Sequence, residues 1–300
     1  MKRLPIFHKY SIKDLENLSN IKAHTLRIWE QRYGILKPSR TDTNIRFYTD
    51  DELRFLLSIS MLNQNGFKIS KIAGFSTEDI QREVRRLTNI KTDDENQVSA
   101  LVIAMINLDE DAFTKLFNNA TARLGFEQTV IQVIYPFLQR IGMLWIGGSI
   151  RPVHEHFISN LIREKLIIHI HAHPKQLKEN AKSFLLFTPE NEWHELTLLF
   201  NHYLLKTRNH KVIYVGLNIP LHDLLSVFEN QKPDYLITCI TTTPKGEALK
   251  AYLKILSQNF EHSRIIISGE QVRHCGLVEF PQNVTSFNGI VEFISFINEI

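Results

Sequence analysis

The hydrophobic pattern changes its period near Pro174, and that change sets what the chain can fold into. Upstream, from about 95 to 174, almost no Gly or Pro interrupts apolar residues that recur at helical spacing, in segments at 95–108, 111–124, 126–145 and 152–172. Four stretches of that length with short loops between them predict a four-helix bundle. Downstream, short apolar runs at Phe184–Phe187, Val212–Val215, Tyr235–Ile240 and Ile265–Ile267 alternate with helical stretches at about 195–206, 221–229, 245–258 and 289–299. Strands separated by helices predict a parallel sheet covered on both faces, a doubly wound α/β domain. Ligands on such sheets bind at the carboxyl ends of the strands, so the residues just after each apolar run are the candidates for a site.

The first quarter of the chain differs from the rest in charge. Residues 1–75 hold 13 Lys and Arg against 7 Asp and Glu, whereas the remaining 225 hold 22 against 25, for a formal net charge of +3 over the whole chain. A basic module joined to a near-neutral remainder points to a polyanionic partner for the first part. Ser11-Ile12-Lys13-Asp14 has the form of a capping box, and Ile12, Leu15 and Leu18 follow at helical spacing until Ser19-Asn20 breaks the run. A second helix is expected from about Lys22 to Arg32, closed by Gly34, and two brief helices around a short turn form a helix-turn-helix pattern. Beyond a polar loop at 37–44 come a short extended piece, Arg46-Phe47-Tyr48, and then Thr49-Asp50-Asp51-Glu52, which caps a longer helix through about Asn63. On the second helix Leu26, Trp29 and Tyr33 share one stripe and are expected in the core. That turns Thr25, Arg27 and Gln31 outward, where they can reach phosphates or base edges in a major groove. Arg46 and Tyr48 are expected to bond backbone oxygens of the nucleic acid. The polar stretch at 77–94 reads as a connecting helix and linker, so the expected domains are 1–76, 95–174 and 175–300.

Two further features suggest a ligand. Trp145, near the end of the third bundle segment, has a large apolar face able to cover a flat molecule, and Glu155-His156 follows after nine residues. In the loop after the first predicted strand, His194 offers an imidazole suited to a transition metal, and Glu192 or a nearby carboxylate could hold its other nitrogen. His169 and His173 share a helix face but show no third ligand, and they read as structural.

Residues 9–75, with Tyr10-Ser11-Ile12, His24-Thr25-Leu26-Arg27-Ile28-Trp29-Glu30, Arg46-Phe47-Tyr48 and Asp51-Glu52-Leu53, resemble the winged helix-turn-helix domain of the MerR family of bacterial transcription regulators. The resemblance implies an all-α winged helix-turn-helix that binds double-stranded operator DNA as a dimer, with RNA polymerase as a further partner. From about 95 to 300, the Trp, nine residues, Glu-His pattern followed by Glu-x-His resembles the cobalamin-binding unit of methionine synthase and of the light-sensing carotenoid-gene repressors. That resemblance implies a flavodoxin-like sheet, adenosylcobalamin as cofactor and His194 as the lower axial ligand to cobalt. Trp145, Glu155 and His156 would lie around the adenosyl group, and Glu192 beside His194. Cys239, Thr241, Ser268 and Gly269 would border the channel of the benzimidazole tail, and Gly216 and Pro220 fit the turn after the second strand. The function implied is a DNA-binding regulator in which the ligand sets oligomeric state, dimer or tetramer, and with it operator binding.

The chain departs from that pattern. Thr197 stands where the related proteins have Gly, Cys239-Ile240-Thr241 where they have Ser-x-Thr or Ser-x-Leu, and Ser268-Gly269 where they have Gly-Gly. Thr197 and Ser268 add atoms near the tail channel and Cys239 puts a larger sulfur in place of an oxygen, and overpacking a fitted site costs about 1–3 kcal/mol. Ile146 replaces the His that follows the bundle Trp in light-responsive members, which removes a bis-histidine end state. One alternative is therefore the same regulator with a sensor that no longer binds cobalamin and answers to a protein or another small molecule. Another is a corrinoid carrier of a methyltransferase. Gly-rich phosphate loops and Gly-x-Ser-x-Gly elbows are absent, so no enzyme activity is expected. Without a run of 18 apolar residues or a secretory leader in residues 1–20, and with only Cys239 and Cys275, the chain is expected in the cytoplasm, away from membranes.

Overall fold

The computed structural model describes residues 9–89, 94–146, 149–173, 177–228, 231–275 and 280–300. The chain divides into two compact units, Met1–Ile158 and Ser159–Ile300.

The first unit opens with α1 (Ile12–Ser19). The Ser11 hydroxyl accepts the Asp14 N–H at 3.2 Å while the Asp14 carboxylate accepts the Ser11 N–H at 2.7 Å, and Asn20 ends the helix in the left-handed conformation. Next, α2 (Ala23–Tyr33) stops at Gly34, whose φ of 63° is easy only for a residue without Cβ. A two-stranded antiparallel hairpin, β1 (Ser39–Arg40) and β2 (Arg46–Phe47), makes the wing, with the expected extended piece in its second strand. A second capping box, Thr49 with Glu52, starts α3 (Asp50–Gln64), and α4 (Ile69–Ile72) and α5 (Thr77–Asn89) follow.

The helices expected over 95–172 are α6 (Asp94–Asn107), α7 (Glu110–Leu124), a third built from α8 (Phe126–Thr129), a π-helical turn at Val130–Ile134 and α9 (Tyr135–Ile146), and α10 (Pro152–Ala172). They do not form a unit of their own. Leu101, Val102, Ala104, Met105 and Ile106 bury α6 nearly all round, and it packs against α3 of the DNA-binding module as well as α7 and α9. Arg140 donates to the Leu18 carbonyl at 2.8 Å and Ser149 to Asp14 at 2.9 Å, which ties these helices to α1. The division between the two units falls inside α10, whose later turns bond within the second: Lys206 Nζ donates to the Ile170 carbonyl at 2.6 Å, and the His173 ring stands edge-on to Tyr203. Residues 90–93 of the expected linker and Pro174 lie outside the described residues.

The second unit is a doubly wound domain with a five-stranded, wholly parallel sheet. In chain order it contains β3 (Ser183–Pro189), α11 (Leu196–Thr207), β4 (Lys211–Ile219), α12 (Leu221–Phe228), β5 (Tyr235–Cys239), α13 (Gly246–Asn259), β6 (Arg264–Ser268), α14 (Glu270–Arg273), β7 (Val284–Ser286) and α15 (Ile290–Glu299). The strand order is β4-β3-β5-β6-β7. The direction of winding reverses between β3 and β5, and crevices for ligands open at such a switch point. One face packs Leu185, Phe187, Leu236, Ile265 and Ile267 against α12 and α13. The three-residue β7, Val284-Thr285-Ser286, gave no apolar run in the sequence; its backbone pairing with β6 makes it a strand.

A buried histidine, His210, and a half-buried one, His202, have a consequence for the stability of this unit. His210 accepts the Lys182 N–H on Nδ1 at 3.1 Å and its Nε2 finds no hydrogen-bond partner, while His202 stacks on Tyr214 with ring centroids 5.3 Å apart. Burial, with cationic neighbours in support, lowers both to about 4. An unfolded chain protonates them near 6.5 and the folded one does not, so their contribution is complete above that pH and is lost as pH falls towards 4. At pH 5 the loss is about 2 kcal/mol per histidine. Thermal melting of the second unit should drop by roughly 10 °C between pH 7.5 and 5, and His210→Asn should remove about half of that dependence. A flat profile contradicts this account.

Candidate ligand and nucleic-acid sites

The chemistry of the second unit gathers at the switch point. Thr188, at the end of β3, donates its hydroxyl to the Glu192 carbonyl at 2.8 Å and accepts the Asn218 N–H at 3.0 Å, and Asn218 Oδ1 accepts the Asn191 N–H at 2.7 Å. The loop after β3 is thus fastened to the end of β4. Its fully buried Glu192 then reaches the loop after β5: one carboxylate oxygen accepts the N–H groups of Thr241, Thr242 and Thr243 at 2.7, 2.6 and 3.3 Å, and the Thr242 hydroxyl at 3.1 Å. The other oxygen lies 3.0 Å from the His194 N–H and 2.5 Å from His194 Nδ1.

Burial by itself would raise the Glu192 carboxyl, but the donors from His194 and Thr242 outweigh it and hold the group at about 2. An ionised carboxylate only accepts, so Nδ1 carries the proton and Nε2 is the nitrogen able to coordinate a metal. A carboxylate that orients a histidine in this way is the usual support of a metal-binding imidazole. The His194 side chain is 54% exposed and Trp193 beside it 64%, on a loop that the network holds still. Next along the chain, Glu195 accepts Arg163 Nε of α10 and the Tyr214 hydroxyl of β4, both at 2.7 Å, so the turn carrying His194 is braced on two further elements.

The other residues expected near the ligand tail lie at the same end of the sheet. Cys239 and Ser268 pair in register at the ends of β5 and β6. The Cys239 thiol is buried, 3.8 Å from the Thr241 hydroxyl, and burial raises its pKa. The Gly269 backbone lies so close to Ile240 that a Cβ would sit 2.6 Å from its carbonyl carbon. On α11, one turn beyond Thr197, the buried Asn201 has an Oδ1 without a hydrogen-bond partner, a polar atom awaiting a donor. The metal-supporting imidazole and this orphaned amide suit a corrinoid.

In the first unit Trp145 is 46% exposed rather than buried in the helical core, while His156 is exposed and its Nδ1 lies 3.2 Å from the Glu155 carboxylate. The Ile146 side chain lies outside the described residues. A hollow of about 640 Å³ among α3, α5, α6 and α7 is lined by Phe55, Ile80, Val84, Ala104 and Leu116, and by none of the residues predicted for a site. Among the described residues no group of three His, Cys, Asp or Glu is placed to hold a metal ion; His169 Nδ1 instead meets the Lys165 carbonyl at 2.8 Å.

The residues expected to meet nucleic acid lie on α2 and the wing. Leu26 and Trp29 are buried, Tyr33 half-buried, Arg27 and Gln31 exposed, and Thr25 half-buried with its hydroxyl 3.3 Å from His24 Nε2. Arg46 Nε lies 3.4 Å from Glu30. Tyr48 is not on this face. Its backbone exchanges two 2.9 Å hydrogen bonds with Tyr10, which turns the ring into the core, and its hydroxyl donates to Glu30 at 3.2 Å. Burial and the Glu30 charge push the phenol up to about 12. A phosphate contact through Tyr48 is therefore withdrawn in favour of a role supporting Glu30 and, through it, Arg46.

The MerR HTH regulatory protein family matches residues 10–87, and the B12 binding domain family matches residues 98–168. Together they define a transcriptional regulator that joins a MerR helix-turn-helix domain to a B12-binding domain. The chain is similar to two HTH-type transcriptional repressors of Myxococcus xanthus. It is 27% identical to CarH over 255 residues, 83% of this chain and 84% of CarH, and 26% identical to CarA over 227 residues, 74% and 73% of the two chains. Its amino-terminal part is 38% identical over 63 residues to the HTH-type transcriptional regulator MlrA of Escherichia coli strain K12, which is 21% of this chain and 26% of that protein. The monomethylamine corrinoid protein of Methanosarcina barkeri shares the fold, with a TM-score of 0.52 at 10% identity over 73% of this chain and 98% of that one.

Proposed function

We propose that this regulator binds adenosylcobalamin through its α/β domain and that the bound ligand sets its oligomeric state and hence its hold on operator DNA. The Glu192–His194 pair carries the reading: a buried carboxylate holds Nδ1 of an imidazole at the switch point of the sheet, which makes Nε2 the nitrogen of the metal-binding tautomer. When bound, the corrinoid would supply a cobalt ion, and His194 is the residue that would hold it. Glu192 keeps the imidazole in one tautomer, Thr241 to Thr243 hold the carboxylate ionised, and Cys239, Ser268, Gly269 and Asn201 border the space for the tail. Trp145 lends an aromatic face to the ligand, with Glu155 and His156 as polar neighbours. Thr25, Arg27, Gln31 and Arg46 meet the operator, with dimers or tetramers of the chain as the bound form. The relatives named above as repressors and regulators favour regulation over catalysis. Among the described residues no helix is long and apolar enough to cross a membrane, and we assign the protein to the cytoplasm with its DNA.

The test is to incubate the purified protein with adenosylcobalamin in the dark, desalt it and record its visible spectrum. Retained corrin absorbance, lost in His194→Ala, is the expected result. A colourless wild-type protein overturns cofactor binding and favours the second reading, a sensor that has lost cobalamin, to which the Thr197, Cys239 and Ser268 side chains point. Size-exclusion chromatography with and without the ligand reports the change of oligomeric state.

A further inference from the structure

One of the exposed side chains of α2 is not polar. At about 100° per residue, Ile28 lies on the exposed face, across the helix from Leu26, with Thr25 and Gln31 three residues away and His24 and Arg32 four residues away. Its side chain is 45% exposed, whereas all four of those neighbours are polar or charged. Helix stability does not call for it either, since a β-branched residue is a poorer helix former than Ala, Leu or Lys. An apolar group kept in water on a basic recognition face needs an apolar counterpart on the partner. On the floor of a major groove there is one such group, the 5-methyl of thymine.

We propose that Ile28 is a specificity-determining residue that reads the methyl group of one thymine in each operator half-site, between bases or phosphates contacted by Thr25 and Gln31. The inference rests on the DNA-binding reading above. Removal of a buried methyl should weaken binding about fourfold per half-site, a discrimination between T·A and other pairs that the flanking polar residues do not supply at that position.

The full-length protein is used to enrich an operator from a randomised duplex library, and the thymines of that operator are then replaced one at a time by deoxyuridine. One thymine per half-site is expected to lose about fourfold in affinity on losing its methyl, and the others to change little. In Ile28→Ala that thymine-to-deoxyuridine ratio should fall to about one, while Ile28→Val keeps part of it. All three proteins should melt together, because the residue is exposed. An enriched operator with no methyl-sensitive thymine overturns the inference alone, as does a ratio unchanged in Ile28→Ala. A library from which no duplex is enriched overturns the DNA-binding reading and this inference with it.

Discussion

Glu192→Gln is expected to destabilise the second unit by about 3–5 kcal/mol, lowering its melting temperature by roughly 10 °C or more. The carboxylate accepts from three backbone N–H groups and a hydroxyl on one oxygen and from His194 on the other, and every one of these partners is a donor. An amide has one accepting end. Whichever way it turns, its NH2 confronts donors where the carboxylate oxygen accepted from them. The pH dependence separates this effect from that of His202 and His210. Because folding holds the Glu192 carboxyl at about 2 against an ordinary 4.5, its contribution is complete above 4.5 and is lost as pH falls through 2. The gap between wild type and variant should therefore stay constant from pH 8 to 5 and close only in stronger acid. Retention of the corrinoid by the variant should fall by about 10- to 100-fold, the usual cost of removing the partner of a metal-binding histidine. A variant that melts with the wild type would show that the loops after β3 and β5 are held by something else.

Gly269→Ala should cost a similar amount, about 3–5 kcal/mol. Gly269 has φ of 109°, and an added Cβ would come within 2.6 Å of the Ile240 carbonyl carbon and 2.8 Å of its nitrogen, and closer still to its oxygen. None of these atoms can give way, because Ile240 N–H is bonded to Ser268 at 2.8 Å and its carbonyl accepts from Gln271 at 3.0 Å. The same change at Gly142 in α9 meets nothing within 4 Å and serves as the contrast, with a gain of about 1 kcal/mol from better helix propensity. Equal melting behaviour of the two variants would show that the sheet end is more compliant than its geometry indicates. The comparison also bears on the tail channel. Of the Ser268-Gly269 pair, only the second position is required to be glycine by the protein's own backbone, so the serine is free to vary with the ligand.

Much of the architecture was legible because its determinants are local. The two capping boxes, Asn20 and Gly34 at helix ends, and the change from helical to strand periodicity after Pro174 each act within a few residues, and the structure forms those elements there. The misreadings concern partners that are distant in sequence. Tyr48 is turned inward by Tyr10, 38 residues earlier, and periodicity carries no information about that pairing. The donors that hold Glu192 come from Thr241 to Thr243, about fifty residues later; the run of three threonines after the third apolar segment was a visible but unread signal. Likewise, α6 reads simply as a bundle helix, although an apolar surface on all sides already asks for neighbours on all sides, and α3 is one of them.

By itself, the sequence determined most of the helices and strands, that a basic helix-turn-helix module precedes a helical region and an α/β domain, and that Glu192 and His194 follow a strand end. Those outcomes follow from hydrogen bonding and burial preferences that repeat every two or 3.6 residues. Only the tertiary structure decided that Glu192 is ionised and fully enclosed, that Tyr48 supports the wing from within, that Trp145 stays exposed and that the chain divides inside α10. Each of these depends on which remote groups share a low-dielectric space, and the free energy of such an encounter is not encoded in either neighbourhood alone.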